Sequence, residues 1–122
     1  MTFVWTTLRV SDLDRSLAFY HELLGLPIQE RFGPPGHEIA MLGPENGTHL
    51  ELLTSPDPLP EVPAPGLSLG FRPENIAALL ASLQKAGVPI PPPMSPNPSL
   101  KFYFLHDPDG YTVQLVEEVP AD

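Results

Sequence analysis

From Val4 to Val10 apolar and polar positions alternate. Val4, Thr6, Leu8 and Val10 fall on one face and Trp5, Thr7 and Arg9 on the other, the pattern of a half-buried strand. The period then changes: Leu13, Leu17, Tyr20 and Leu24 recur at helical spacing behind Ser11 or Asp12 as the cap, and Gly25 stands where such a helix ends. Strand-like stretches follow near 28–32, 38–42 and 48–53, so the first half of the chain reads β-α-β-β-β. The second half repeats the order, with a strand over 67–71, a helix over 74–85 that turns Ile76, Leu80 and Leu83 inward, and further strands. Its second strand is interrupted by Pro91, Pro92, Pro93, Pro96 and Pro98, which remove ladder donors and predict an edge strand or a loop.

The two halves are copies. Shifting by 63 positions lays EIAMLGPENGTHLELL (38–53) over KFYFLHDPDGYTVQLV (101–116), matching Met41 with Phe104, Gly47 with Gly110, Glu51 with Gln114 and Leu52 with Leu115. Each copy is an apolar-rich run, a Pro/Asp/Asn/Gly turn and an alternating run, which spells a β-hairpin. The segment TSPDPLPEVPAPG (54–66) carries five prolines and reads as a stiff connector. The organisation expected is a single domain over 1–122: module one at 1–54, a Pro-rich connector at 55–66 and module two at 67–118. A duplicated half-site usually builds its pocket between the copies.

Composition narrows the function. Fifteen acidic residues against six basic ones give a formal charge of −9, and no basic stripe exists, so nucleic acid is not an expected partner. The chain has no cysteine, which excludes disulfides, thiolate catalysis and Cys-type zinc sites. The opening MTFVWTTLRV does not read as a signal peptide, and no apolar run approaches the ~20 residues that span a bilayer. The address expected is cytoplasmic, with no membrane partner.

With LRVSDLDRSLAFYHELLGL at the start and HDPDGYTVQLVEE at the end, the chain resembles the vicinal oxygen chelate superfamily, which contains glyoxalase I, extradiol dioxygenases, and fosfomycin- and bleomycin-resistance proteins. The wording is closest to glyoxalase I. The resemblance implies an α+β fold of tandem β-α-β-β-β modules, with mixed sheets curled into an open barrel and helices on the outer face. It also implies a homodimer. If Leu8, Val10, Leu50, Leu52, Leu67, Leu69, Phe71, Val113 and Leu115 face the helices, the concave side receives Trp5, Thr7, Arg9, His49, Glu51, Ser68, Gly70, Thr112 and Gln114. That set is polar, small or aromatic, as a ligand pocket should be.

Glyoxalase-type members hold a metal with four side chains, one on the first and one on the last strand of each module. Those positions correspond here to Trp5, Glu51, Ser68 and Gln114, and only Glu51 is a good ligand. Indole offers no lone pair, and a neutral hydroxyl or amide oxygen is a poor donor to a divalent transition ion. Gln114 also cannot be the carboxylate base that moves a proton between carbons in glyoxalase I. No cofactor is therefore expected, a divalent metal remaining the minority reading through a displaced His49–Glu51 pair. Arg9 matches the arginine that glyoxalase I turns toward a glutathione carboxylate, with a salt bridge to Glu51 as the structural alternative. Trp5 either stacks on a planar or cationic ligand or fills the space of a lost metal. His49 either joins such a metal site or hydrogen-bonds Glu51 or a neighbour. The expected function is binding of a small organic molecule by a glyoxalase/bleomycin-resistance-type protein with a largely lost metal site. The alternatives are a lactoylglutathione lyase-like metal enzyme, or a metal-free enzyme with Glu51 as its base.

Overall fold

Among the described residues, eight strands and two helical segments follow one another in the order the alternation predicts. A computed structural model describes residues 1–120. The chain divides into two compact units, one from Met1 to Pro63 and one from Ala64 onward. In the first unit β1 (Trp5–Arg9) leads into the helix α1 (Leu13–Leu17), whose coils continue over Ala18–Leu23, and then into β2 (Ile28–Phe32), β3 (Ile39–Leu42) and β4 (His49–Leu53). The sheet order is β1-β4-β3-β2, with β1 parallel to β4 and the remaining pairs antiparallel. The second unit repeats this with β5 (Ser68–Phe71), α2 (Ile76–Lys85), β6 (Met94–Asn97), β7 (Leu100–His106) and β8 (Thr112–Glu118), in the order β5-β8-β7-β6. The fold is α+β, built on two mixed four-stranded sheets.

Strand parity decides burial in both units. Leu8, Leu50 and Leu52 are buried in the first, and Val113, Leu115 and Leu105 in the second, while their sequence neighbours are at least partly exposed. On the first helix Leu13, Leu17 and Tyr20 are buried as the spacing predicts, whereas on α2 only Leu83 is, and Ile76 and Leu80 are half-buried. The proline-rich stretch behaves as its missing donors require. Residues 90–93 form no strand, and β6 is a four-residue edge whose pairing with β7 is irregular between Met94 and Asn97, around Pro96.

One departure from the expected helix has a simple origin. After Leu17 the first helix widens into π-helical turns over Ala18–Leu23, with the Leu24 amide donating to the Phe19 carbonyl at 3.0 Å. Sixteen positions separate Arg9 from Gly25, but 15 separate their counterparts Arg72 and Gly87, so module one must accommodate one extra residue in its helix. A turn closed from i to i+5 absorbs it without moving either end. The caps carry the same offset. Val88 donates to Leu83, five residues back, whereas Leu26 donates to Tyr20, six back. Gly25 and Gly87, both at φ +81°, end their helices in the left-handed conformation that glycine adopts at no steric cost. The wider turn also rotates Phe19 inward beside Tyr20, where the two rings meet edge to face at 4.9 Å.

Candidate functional site

The strand parity that buries Leu8, Leu50 and Leu52 leaves the opposite side of the first sheet free for chemistry. Residues paired directly across strands share a face, so the register can be followed across the sheet. Thr7 lies opposite Glu51, Glu51 opposite Met41, and Met41 opposite Glu30, which makes one row of four across β1, β4, β3 and β2. To one side of this row Trp5 pairs with His49; to the other lie Arg9, Leu53, Ile39 and Phe32. Trp5, Thr7, Arg9, His49 and Glu51 thus share one face. Met41 and Glu30 join them there, and sequence reasoning missed both because the register of β2 and β3 was not readable. The match of Met41 with Phe104 in the repeat was the available signal.

The polar atoms on this face are already organised. The Thr7 hydroxyl donates to Glu51 Oε1 at 2.6 Å, which fixes one carboxylate oxygen. Arg9 does not make the bridge to Glu51 that was the structural alternative to ligand contact. Its Nη2 donates to the Pro58 carbonyl in the connector at 2.7 Å. His49 Nε2 lies 2.7 Å from the Pro44 carbonyl, and because a carbonyl can only accept, Nε2 carries the proton. His49 therefore bonds a neighbour in the preceding turn, the alternative to a pair with Glu51. Trp5 remains 49% exposed, so its ring is not consumed by the core.

On the second sheet the equivalent face carries Ser68 and Gly70 from β5, Thr112 and Gln114 from β8, and Phe104, opposite Gln114, from β7. Phe102 follows two residues away, and its ring meets that of Phe104 edge to face at 6.5 Å. Gln114 Nε2 donates to Ser68 Oγ at 2.9 Å. The Asp107–Gly110 segment is a turn. Asp107 Oδ1 accepts from the amides of Asp109 and Tyr111, both at 2.9 Å, and the side chain is buried. His106, just before it, is exposed at the end of β7.

A family model described as the glyoxalase/bleomycin resistance protein/dioxygenase superfamily matches residues 2–115. The chain belongs to that superfamily. Within it, the chain is 30% identical to the lactoylglutathione lyase of Haemophilus influenzae, over 96% of this chain and 93% of that protein. The trypanothione-dependent glyoxalase I of Leishmania major superposes with a TM-score of 0.79 at 30% identity, covering 97% of this chain and 87% of that one. An antibiotic-binding protein of Streptomyces sp. CB03234, TnmS3, shares the fold at a TM-score of 0.75 and 24% identity, over 99% and 97% of the two chains.

The metal that glyoxalase-type members of the superfamily use can be tested against the residues present. Of Trp5, Glu51, Ser68 and Gln114, the positions that the resemblance assigns to ligands, three are not strong donors, and Gln114 Nε2 donates to Ser68 Oγ. Glu51 has one oxygen committed to Thr7. Among the described residues no group of three or more His, Cys, Asp or Glu side chains is arranged to hold an ion. Of these four side chains, only Glu51 is a strong donor for a divalent transition metal.

Proposed function

We propose that this superfamily member binds a small organic molecule on the polar faces of its sheets and does so without a metal. The observation that carries the reading is the Gln114–Ser68 hydrogen bond of 2.9 Å. At two positions where glyoxalase-type relatives present ligands, this chain presents a neutral amide and a neutral hydroxyl that pair with each other. Trp5, at a third, supplies a flat apolar surface in place of a lone pair. Thr7, Glu51, His49 and Arg9 supply directional polar groups around it, the composition of a binding surface with a few fixed orienting contacts.

The test is elemental analysis of protein purified without a histidine tag and incubated with Ni²⁺, Zn²⁺, Mn²⁺ and Fe²⁺, followed by a thermal-shift screen of small organic molecules. Metal well below one ion per chain, together with saturable stabilisation by organic ligands, is the expected outcome. Chelator-resistant metal near one ion per chain would overturn it.

A second reading has a specific observation behind it. The Haemophilus influenzae relative at 30% identity is a lactoylglutathione lyase, and Glu51 is a carboxylate at a position that the family resemblance assigns to a ligand. In that reading the protein isomerises a glutathione hemithioacetal. Turnover abolished by a chelator would favour it, and binding without turnover would dismiss it. A lyase that survives chelation would instead point to Glu51 as a metal-free base.

A further inference from the structure

Resting on that binding reading, we propose that the preferred ligand is an organic cation: a planar apolar body carrying an ammonium or amidinium group, with the charge on Glu51 and the ring on Trp5. Three features of the first sheet lead to it. Glu51 is half-buried and oriented by Thr7, yet among the described residues it has no basic partner, and Arg9 on the same face donates to the Pro58 carbonyl instead. A second carboxylate, Glu30, stands in the same row beyond Met41. Trp5 lies one strand over and one residue pair along from Glu51, about 8 Å away by strand spacing and rise. That separation lets one flat ligand stack on the indole while its cationic end reaches the carboxylate.

The alternatives fit less well. An anion approaching this face meets two carboxylates, Glu51 and Glu30, against the one guanidinium of Arg9, which spends an N–H on the Pro58 carbonyl. A neutral planar molecule would gain Trp5 and Met41 but leave the oriented carboxylate desolvated without a counter-charge. A cation satisfies both, since aromatic faces attract positive charge and a carboxylate forms its strongest hydrogen bonds with N⁺–H donors. The overall charge of −9 raises the local concentration of cations further.

Trp5 is the only tryptophan in the chain, so its fluorescence reports directly on this face. The experiment titrates three molecules of one shape and three charges: naphthalene-2-carboxamidine, naphthalene-2-carboxamide and naphthalene-2-carboxylate. Tryptophan emission is corrected for absorption, and thermal shift is the second readout. The amidine should quench saturably and bind about tenfold more tightly than the amide, the difference between a charged and a neutral hydrogen-bond donor at a carboxylate. The carboxylate should be weakest, and added salt should erode the preference. Glu51→Gln should remove the preference for the amidine over the amide while leaving some stacking. Thr7→Val, which frees the carboxylate without discharging it, should reduce the preference while the protein remains folded by circular dichroism. Amide or carboxylate binding as tightly as the amidine, with Glu51→Gln unchanged, would overturn the cation assignment while leaving the binding reading intact. No quenching by any of the three, together with a broad thermal-shift screen that finds no ligand, would overturn both.

Discussion

The buried carboxylate of Asp107 is expected to hold the second sheet's hairpin together, and replacing it by alanine measures how strongly. Oδ1 accepts two backbone amides at 2.9 Å, from Asp109 and Tyr111, and the main chain closes the same turn through Asp107 N to Tyr111 O and Gly110 N to Asp107 O, both at 3.0 Å. Hydrogen bonds to a charged acceptor contribute about 1.5–3 kcal/mol each, and the Tyr111 amide is buried, so alanine strands a donor that water does not readily reach. Partial relaxation of the turn offsets some of this, and the expected cost is about 2–4 kcal/mol. For 122 residues, unfolding entropy scales to about 0.26 kcal/mol per degree, so Asp107→Ala should lower the melting temperature by about 8–15 °C. Asp107→Asn keeps one acceptor oxygen in place but loses the charge and turns the other oxygen into an NH₂ donor, so its drop should be smaller than that of alanine. Circular dichroism melts of the two variants supply the comparison, and hydrogen exchange at the Tyr111 amide localises the effect. An alanine variant melting within about 2 °C of the parent, or alanine and asparagine losing equal stability, would refute the assignment of the acid to the turn.

Two further outcomes are expected. Ser16 is fully buried and its hydroxyl has no hydrogen-bond partner among the described residues, so Ser16→Ala should leave stability unchanged or raise it by about 1 kcal/mol in urea denaturation; a clear loss would reveal a partner for that hydroxyl. Gly33 sits at φ +103° with its missing Cβ directed into the His37 carbonyl oxygen, so Gly33→Ala should cost more than about 2 kcal/mol in the same assay, and an unaffected midpoint would dismiss that geometry.

What could be read in advance follows from how each feature is encoded. Strands β1, β4, β5 and β8 alternate strongly because one side packs and the other does not, so Leu8, Leu50, Leu52, Val113 and Leu115 announced the buried parity, and Trp5, Thr7, Glu51 and Gln114 followed as its complement. The edge position of β6 was legible in its prolines. The π-helical turns were not, although the cause was visible as one extra residue between Arg9 and Gly25; where a helix stores an inserted residue is decided by packing around Phe19 and Tyr20. Hydrogen-bond partners were least legible. That Thr7 rather than Arg9 would hold Glu51, and that Arg9 would reach Pro58, depends on loop positions that no periodicity encodes.

The internal repeat separates the requirements of the fold from those of the site. Where the two copies must pack, they agree in kind: Leu50 matches Val113 and Leu52 matches Leu115, all buried. On the opposite parity they diverge in chemistry, Glu51 against Gln114, Trp5 against Ser68, Met41 against Phe104. Random surface drift would leave those exposed positions with solvated side chains of no fixed orientation. Instead Glu51 is held by Thr7, Gln114 holds Ser68, and Phe104 is braced by Phe102. A carboxylate fixed beside a half-exposed indole on one sheet, and a neutral amide beside paired aromatic rings on the other, are two ordered surfaces of unlike polarity. On the first sheet by itself, a carboxylate and an indole on one face suit a ligand with a charged end and an apolar body better than a spherical ion that asks the same of every ligand.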